Sequence, residues 1–183
     1  MTDIMVDIET LSTGTRAAIL SIGAVMFDPI RGVEAAPEGF YKTIRRDTLV
    51  GEMDESAWRW WLQQDAAFEV FTDYENAASH ETAIREFVEW CEFVRGEIYG
   101  LTFWCKGAKM DAACLEWAIT QLGLEVPWKY NRVMCYRSLE NVCRRKGIFP
   151  PYPENANLHH ALSDAIAQAK HVTKLVAALG GQP

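Results

Sequence analysis

The chain has 183 residues, 49% of them hydrophobic and 23% charged, with a formal net charge of −7. These values are typical of one globular domain with a core of its own, and the acidic balance argues against broad electrostatic binding of nucleic acid. No apolar run approaches the roughly 20 residues of a membrane span, and the N-terminus lacks a secretory signal pattern. Five cysteines without a CxxC pair favour reduced thiols. We therefore expect a single cytoplasmic domain over residues 1–183, with no membrane contact.

The first segment reads as a β-strand in which Ile4, Val6 and Ile8 alternate with polar positions. Because side chains alternate between the faces of a strand, Asp7 and Glu9 project from the same face. Two close carboxylates repel each other, and a divalent cation bound by oxygen ligands would offset the repulsion. Taken alone, however, Asp-x-Glu is more often a strand with one solvated acidic face.

The order of the later elements predicts an α/β fold. Strands over 18–28 and 39–45 follow through short turns, which suggests an antiparallel meander of three strands. After them we predict a short helix that begins near Asp54 or Ser56, a helix over 79–95, a strand over 98–105, a helix over 110–122, a strand over 132–137, and helices over 138–146 and 160–179. This order indicates a mixed sheet with helices on its faces.

The short helix carries three tryptophans, Trp58, Trp60 and Trp61. Packing of the helix against the sheet is the favoured interpretation, and a stacking platform for nucleobases is the alternative. Trp58 and Trp61 share a helix face, so we expect either this pair or Trp60 to point outward.

Two further acidic positions lie at helix starts. Asp111 opens a helix and stands at the inner end of an apolar stripe, where a buried carboxylate needs a partner, although helix capping would also explain it. Asp164 lies inside the first turns of the last helix, and His159 at or just before them. His160, four residues before Asp164 and on its face, is the rival candidate for a functional imidazole.

The ordered set Asp7-Ile8-Glu9-Thr10, Asp111 at a helix start and His159-x4-Asp164 resembles the DEDDh branch of the DnaQ-like 3′–5′ exonucleases. The resemblance covers nearly the whole chain. It is closest to small phage and bacterial exonucleases, through the Trp60-Trp61 pair and the segment Pro127-Trp128-Lys129-Tyr130. It implies a ribonuclease H-like fold: a mixed sheet of three antiparallel strands and then a βαβ unit, with helices on both faces.

The resemblance also implies the chemistry of the site. Asp7, Glu9, Asp111 and Asp164 would bind two Mg²⁺ or Mn²⁺ ions, and His159 rather than His160 would be the general base. By the same likeness, the substrate-binding residues would be Thr10 and Thr13 at the terminal ribose, Leu11 as a wedge against the terminal base, and Trp61. Lys106 and Met110 depart from the pattern, which would have an amide or small residue and a phenylalanine there.

The expected function is metal-dependent 3′–5′ hydrolysis of single-stranded DNA or RNA ends, releasing nucleoside 5′-monophosphates. The expected partner is nucleic acid with a free 3′ end, and a homodimer is an allowed assembly. The alternatives are a ribonuclease H-type endonuclease, which the His-x4-Asp spacing disfavours, and an inactive scaffold that binds a polymerase or nucleic acid. The intact acidic quartet argues against the scaffold.

Overall fold

The structure is a computed structural model that describes residues 2–33, 39–64, 71–72, 77–96, 100–154 and 157–180. These residues include six strands and five α-helices. In chain order they are β1 (Thr2–Thr10), β2 (Ile19–Asp28), β3 (Gly32–Val33), β4 (Phe40–Thr43), α1 (Glu55–Trp61), α2 (His80–Arg95), β5 (Leu101–Cys105), α3 (Asp111–Gln121), β6 (Val133–Cys135), α4 (Tyr136–Arg145) and α5 (Ala161–Ala178).

The strands form one mixed sheet in the order β3-β2-β1-β5-β6, and β4 also pairs with β2. β1 is antiparallel to β2 and parallel to β5, and β5 is parallel to β6. The predicted meander of β1, β2 and β4 and the mixed α/β architecture are confirmed. The two-residue strand β3 was not predicted, because it is too short to show an alternating pattern. The strand predicted over 98–105 corresponds to β5, and its predicted start at residue 98 lies outside the described residues.

Helices cover both faces of the sheet, as predicted. Ile4, Val6 and Ile8 of β1 pack with α2 and α3 in one hydrophobic cluster, whereas Met5 packs with α4 and α5 in another. Because strand side chains alternate between faces, Asp7 shares the face of Met5. The acidic side chains of β1 therefore lie on the side of the sheet that α5 covers.

The N-terminus of α5 rests directly on β2 at Gly23. In the register of the sheet, Gly23 lies opposite Asp7. A Cβ atom at this position would clash with the backbone of Ala161 and Leu162, the first two residues of α5. A glycine is thus required for the helix to approach the sheet next to Asp7.

Local signals explain the helix boundaries. Ser79 caps α2 by accepting a hydrogen bond from the Thr82 N–H at 3.1 Å, and Gly96 ends the helix at φ +60°. Gly123 adopts φ +68° just after α3, as expected of a glycine after a helix C-terminus. Within the described part of the chain, no helix combines the length and the apolar character needed to cross a bilayer.

Candidate active site

β1 supplies two carboxylates at its C-terminal end. Asp7 and Glu9 are half-buried, and the β1–β2 register shifts between Glu9 and Thr10. Such an irregularity bends a strand and is frequent beside active sites. β5 runs parallel to β1, so the loop after β5 reaches the same edge of the sheet.

That loop brings a third carboxylate to the site. Asp111 is the first residue of α3 and only 8% exposed. Its Oδ2 accepts a hydrogen bond from the Gly107 N–H at 2.9 Å. The position at the helix N-terminus, where a negative charge is favoured, and the backbone donor both hold this carboxylate against the sheet.

The start of α5 supplies the fourth carboxylate and an imidazole. His160 is the N-cap residue, so His159 precedes the helix and Asp164 lies in its first turns, as predicted. The His159 N–H donates to Oδ2 of Asp164 at 3.0 Å, and His159 adopts φ +64°. Positive φ is uncommon for a residue other than glycine.

These groups converge on one point. Glu9, His159 and Asp164 each offer a ligand atom, and the three atoms lie within 4.8 Å of one another. Asp7 and Asp111 stand close enough to act electrostatically on Glu9. The four predicted carboxylates and His159 are thus gathered in one site, although they come from three separate parts of the chain.

The carboxylates are held in surroundings that oppose their ionisation. Burial raises the pKa of Asp7, and the nearby charges of Asp111 and Asp164 raise it further. Burial also raises the pKa of Glu9, with repulsion from Asp7 next in importance, and burial raises the pKa of Asp111 to about 6. A divalent cation would compensate this clustered charge. The hard oxygen donors suit Mg²⁺ or Mn²⁺, so the residues fit the metal that the sequence pattern implies.

His160 has a structural role in this arrangement. Its Nδ1 accepts a hydrogen bond from the Ser163 N–H at 3.3 Å, which caps α5. Its ring stacks on Tyr41 with centroids 4.1 Å apart and an interplanar angle of 18°. The His160 ring is therefore turned to helix capping and packing, whereas the His159 ring faces the carboxylates.

The tryptophans divide between core and surface. Trp61 is 1% exposed, and its Nε1–H donates to the Thr10 carbonyl at 2.9 Å. Trp58 packs on Phe71 beside it. Trp60 is 43% exposed, and its ring meets the His159 ring edge-to-face at 4.8 Å between centroids. The sequence left open whether Trp60 or the pair Trp58 and Trp61 points outward; in the structure it is Trp60. Trp61 nevertheless borders the cleft in front of the carboxylates, so its predicted contact with substrate stays a prediction.

The predicted wedge residue is also buried. Leu11 is 0% exposed and packs with Trp61 and Phe71. Its N–H donates to the Ala18 carbonyl at 2.9 Å, because the chain turns back toward β2 at this point. Leu11 thus has no exposed surface in this conformation, and its role as a wedge against a base stays a prediction. Thr13 is exposed, and the Thr10 hydroxyl donates to the Ser12 carbonyl at 2.7 Å.

A cleft of about 370 Å³ lies in front of the carboxylates. This volume is in the range of small-molecule sites and would hold one nucleotide unit. The residues that line it include Glu9, Thr10, Thr13, Trp60, Met110 and Asp111.

Three further residues near the site were not predicted to have a functional role. Gln168 donates from Nε2 to Oδ1 of Asp7 at 2.7 Å; its position four residues after Asp164 on a helix was the available signal. Tyr152 is 42% exposed. Burial, and after it the charges of Asp164 and Asp7, raises the pKa of its hydroxyl group to about 12. The Lys106 ammonium lies 6.0 Å from the centroid of the Tyr152 ring.

Comparison with known protein families gives one match over almost the whole chain. The family model described as "3'-5' exoribonuclease Rv2179c-like domain" matches residues 2–176. Among proteins with curated functions, no sequence match was found.

Solved structures of several nucleases share this fold. They include cell-death related nuclease 4 (CRN-4), with a TM-score of 0.62, 14% identity and 98% of this chain covered. The nuclease domain of 3′hExo, a DEDDh family member bound to rAMP, has a TM-score of 0.60, 14% identity and 98% coverage, which is 92% of that domain. E. coli exonuclease I, in a zinc-bound complex with single-stranded DNA, has a TM-score of 0.69, 15% identity and 96% coverage.

These likenesses show the ribonuclease H-like exonuclease fold that the sequence predicted. The chain spans 64% of the CRN-4 chain and 40% of the exonuclease I chain, less than two thirds of either.

Proposed function

The chain belongs to the 3′–5′ exoribonuclease Rv2179c-like domain family, and we propose that it is a 3′–5′ exonuclease that removes nucleoside 5′-monophosphates from single-stranded 3′ ends with Mg²⁺ or Mn²⁺. One observation carries the proposal: four carboxylates and one imidazole meet at the edge of a cleft. Residues 1–183 are proposed to form a single exonuclease domain.

Asp7, Glu9, Asp111 and Asp164 are proposed to hold the metal. Two divalent cations would polarise the scissile phosphate and lower the pKa of the attacking water. Burial, and after it repulsion between the carboxylates, raises the pKa values of Asp7 and Glu9, and a bound cation would offset both effects.

His159 is proposed as the general base that takes a proton from the attacking water. Its ring nitrogen lies close to the carboxylate oxygens of Glu9 and Asp164, so a water held there would be within its reach. The capping role of His160 supports the choice of His159, since His160 cannot serve the water without giving up its bond to the Ser163 N–H.

The residues around the carboxylates suggest how the end of a strand is held. In the cleft, the exposed ring of Trp60 offers a stacking surface for a base, with Thr10 and Thr13 near the ribose. Lys106 and Tyr152, which both act electrostatically with Asp7, offer a cation for a phosphate and a ring for a neighbouring base.

RNA is the proposed substrate class, because the family description names exoribonucleases. The nuclease domain of 3′hExo was solved with rAMP and exonuclease I with a dT13 oligonucleotide, so proteins of this fold bind either sugar. DNA oligomers are therefore tested beside RNA oligomers.

The test is digestion of 5′-labelled and 3′-labelled oligomers of RNA and DNA, linear and circular, with Mg²⁺ or Mn²⁺. Linear RNA should shorten stepwise from its 3′ end and release mononucleotides. A 3′-phosphate should block the reaction, because it would place a second charge beside Glu9. Rapid cutting of circular strands would instead favour the ribonuclease H-type endonuclease, and binding without cutting would favour the scaffold. Asp7→Asn is the inactive control.

A further inference from the structure

Gln168 of α5 is buried against the first carboxylate of the site. Its side chain is 2% exposed, and its Nε2 donates to Oδ1 of Asp7 at 2.7 Å. We propose that Gln168 is a positioning residue that orients Asp7 for metal binding, an inference that rests on the proposed function.

The unpaired half of the Gln168 amide argues against a purely structural role. Oε1 of Gln168 is buried and has no hydrogen-bond partner among the described residues. As a metal ligand Asp7 is ionised, and an ionised carboxylate only accepts hydrogen bonds, so the amide turns its N–H groups to Asp7 and leaves Oε1 unpaired. Burying an unpaired acceptor destabilises a fold, which a leucine or methionine of similar volume would avoid. The amide at this position is therefore explained by Asp7 and not by core packing.

The hydrogen bond restricts how Asp7 can rotate. Oδ1 is held from the α5 side, and this leaves Oδ2 without a bond to Gln168 and turned in a defined direction. A carboxylate held in this way does not need to be ordered when a cation binds. Outer partners of metal ligands act in this manner, and their removal typically weakens metal affinity or activity roughly 10- to 100-fold.

The position of Gln168 also links two ligands. Asp164 and Gln168 are four residues apart on α5 and share a helix face. One helix face thus provides a proposed metal ligand and the group that orients a second ligand, Asp7, on β1. The spacing between Asp7 and Asp164 is set by how α5 rests on the sheet at Gly23.

The experiment compares Mn²⁺ binding by calorimetric titration in wild type and Gln168→Met, which keeps the volume and removes the donor. We expect Mn²⁺ to bind roughly 10- to 100-fold more weakly to the variant. The Mn²⁺ concentration for half-maximal activity should rise by a similar factor, while the rate at saturating Mn²⁺ changes less. Gln168→Asn keeps an amide but is shorter by one methylene, so it should also weaken Mn²⁺ binding. This variant replaces Gln168→Met in the experiment if the latter does not fold.

Thr173→Val is the matched control on the same helix. The Thr173 hydroxyl donates to the Ala169 carbonyl at 3.2 Å, so its loss should leave Mn²⁺ binding unchanged. If a folded Gln168 variant binds Mn²⁺ within twofold of wild type while Asp7→Asn binds it poorly, the inference is overturned and the proposed function stands. If wild type and Asp7→Asn bind Mn²⁺ equally, the proposed metal site is wrong, and the inference fails with it.

Discussion

The backbone N–H of His159 donates to Oδ2 of Asp164 at 3.0 Å, across the start of α5. This bond helps to hold His159 at φ +64°, a left-handed conformation that costs a residue with a side chain about 1–2 kcal/mol. As a result, the imidazole faces the carboxylates instead of continuing along the helix. A segment of six residues thereby provides both a fixed acid and the proposed base.

The first prediction concerns metal and stability. Mg²⁺ or Mn²⁺ should raise the melting temperature, because a ligand present at 100 times its Kd stabilises the folded state by about 2.7 kcal/mol. Asp7→Asn should fold and lose most of this shift. Thermal melts with metal and with a chelator provide the measurement. Asp47→Asn is the control, because Asp47 is an exposed carboxylate that pairs with Arg45. Equal shifts in wild type and Asp7→Asn would argue against the site.

The second prediction concerns pH in the absence of metal. Burial raises the pKa of Asp7 from 3.8 to about 8, so the folded state binds more protons than the unfolded state within that window. Stability contributed by protonated Asp7 is complete below about pH 4 and is lost as the pH rises toward about 8. Urea denaturation of wild type and Asp7→Asn in a chelator should show wild type losing stability relative to the variant between these limits. A relative gain with pH would contradict the assignment.

The third prediction separates the two histidines. His159→Ala should lower the rate roughly 10²- to 10⁴-fold, the usual effect of removing a general base, and should keep the thermal shift with Mg²⁺. His160→Ala removes the cap of α5 and should cost about 1 kcal/mol of stability with a much smaller loss of rate. Single-turnover rates and melts of both variants provide the test. A crippled His160→Ala beside a nearly normal His159→Ala would reverse the assignment.

The fourth prediction concerns Trp60. If its exposed ring stacks on a base, Trp60→Ala should raise KM with a smaller change in kcat, because base stacking contributes about 1–3 kcal/mol per base. Leu62→Ala is the control, since Leu62 is also exposed on the same segment and is 65% accessible. Steady-state kinetics on an oligonucleotide would distinguish the two, and equal KM values for both variants would exclude stacking on Trp60.

The fifth prediction concerns Gly23. Gly23→Ala should push the start of α5 away from β2, because the added methyl group meets the helix backbone. Overpacking of this kind typically costs about 1–3 kcal/mol, and activity should fall further than stability, since Asp164 moves with the helix. Gly100→Ala, where a Cβ has open space, should be neutral in both melts and rates. Full activity in Gly23→Ala would show that α5 tolerates displacement.

Local patterns were enough to predict the parts of the site that depend on neighbours in sequence. The period of two in a strand places Asp7 and Glu9 on one face. The five-residue spacing from His159 to Asp164 places one before the helix and the other inside it. These relationships need only the geometry of a single element, so they could be predicted without tertiary contacts.

Contacts between distant segments could not be predicted in the same way. The bond from Gln168 to Asp7 joins residues 161 positions apart, and the choice of Trp60 or Trp61 for the exposed position depends on what packs over α1. Leu11 was assigned to the substrate from likeness, but the chain returns toward Ala18 and encloses it. Tertiary packing decides each of these cases.

The proposed catalytic groups come from both ends of the described chain, which has a consequence for biosynthesis. A nascent chain that ends before His159 already has Asp7, Glu9 and Asp111, yet it lacks His159, Asp164 and Gln168. Contacts between segments so far apart form late in folding, because the intervening loop must first be closed. The proposed site is therefore complete only after α5 has left the ribosome and docked on β2.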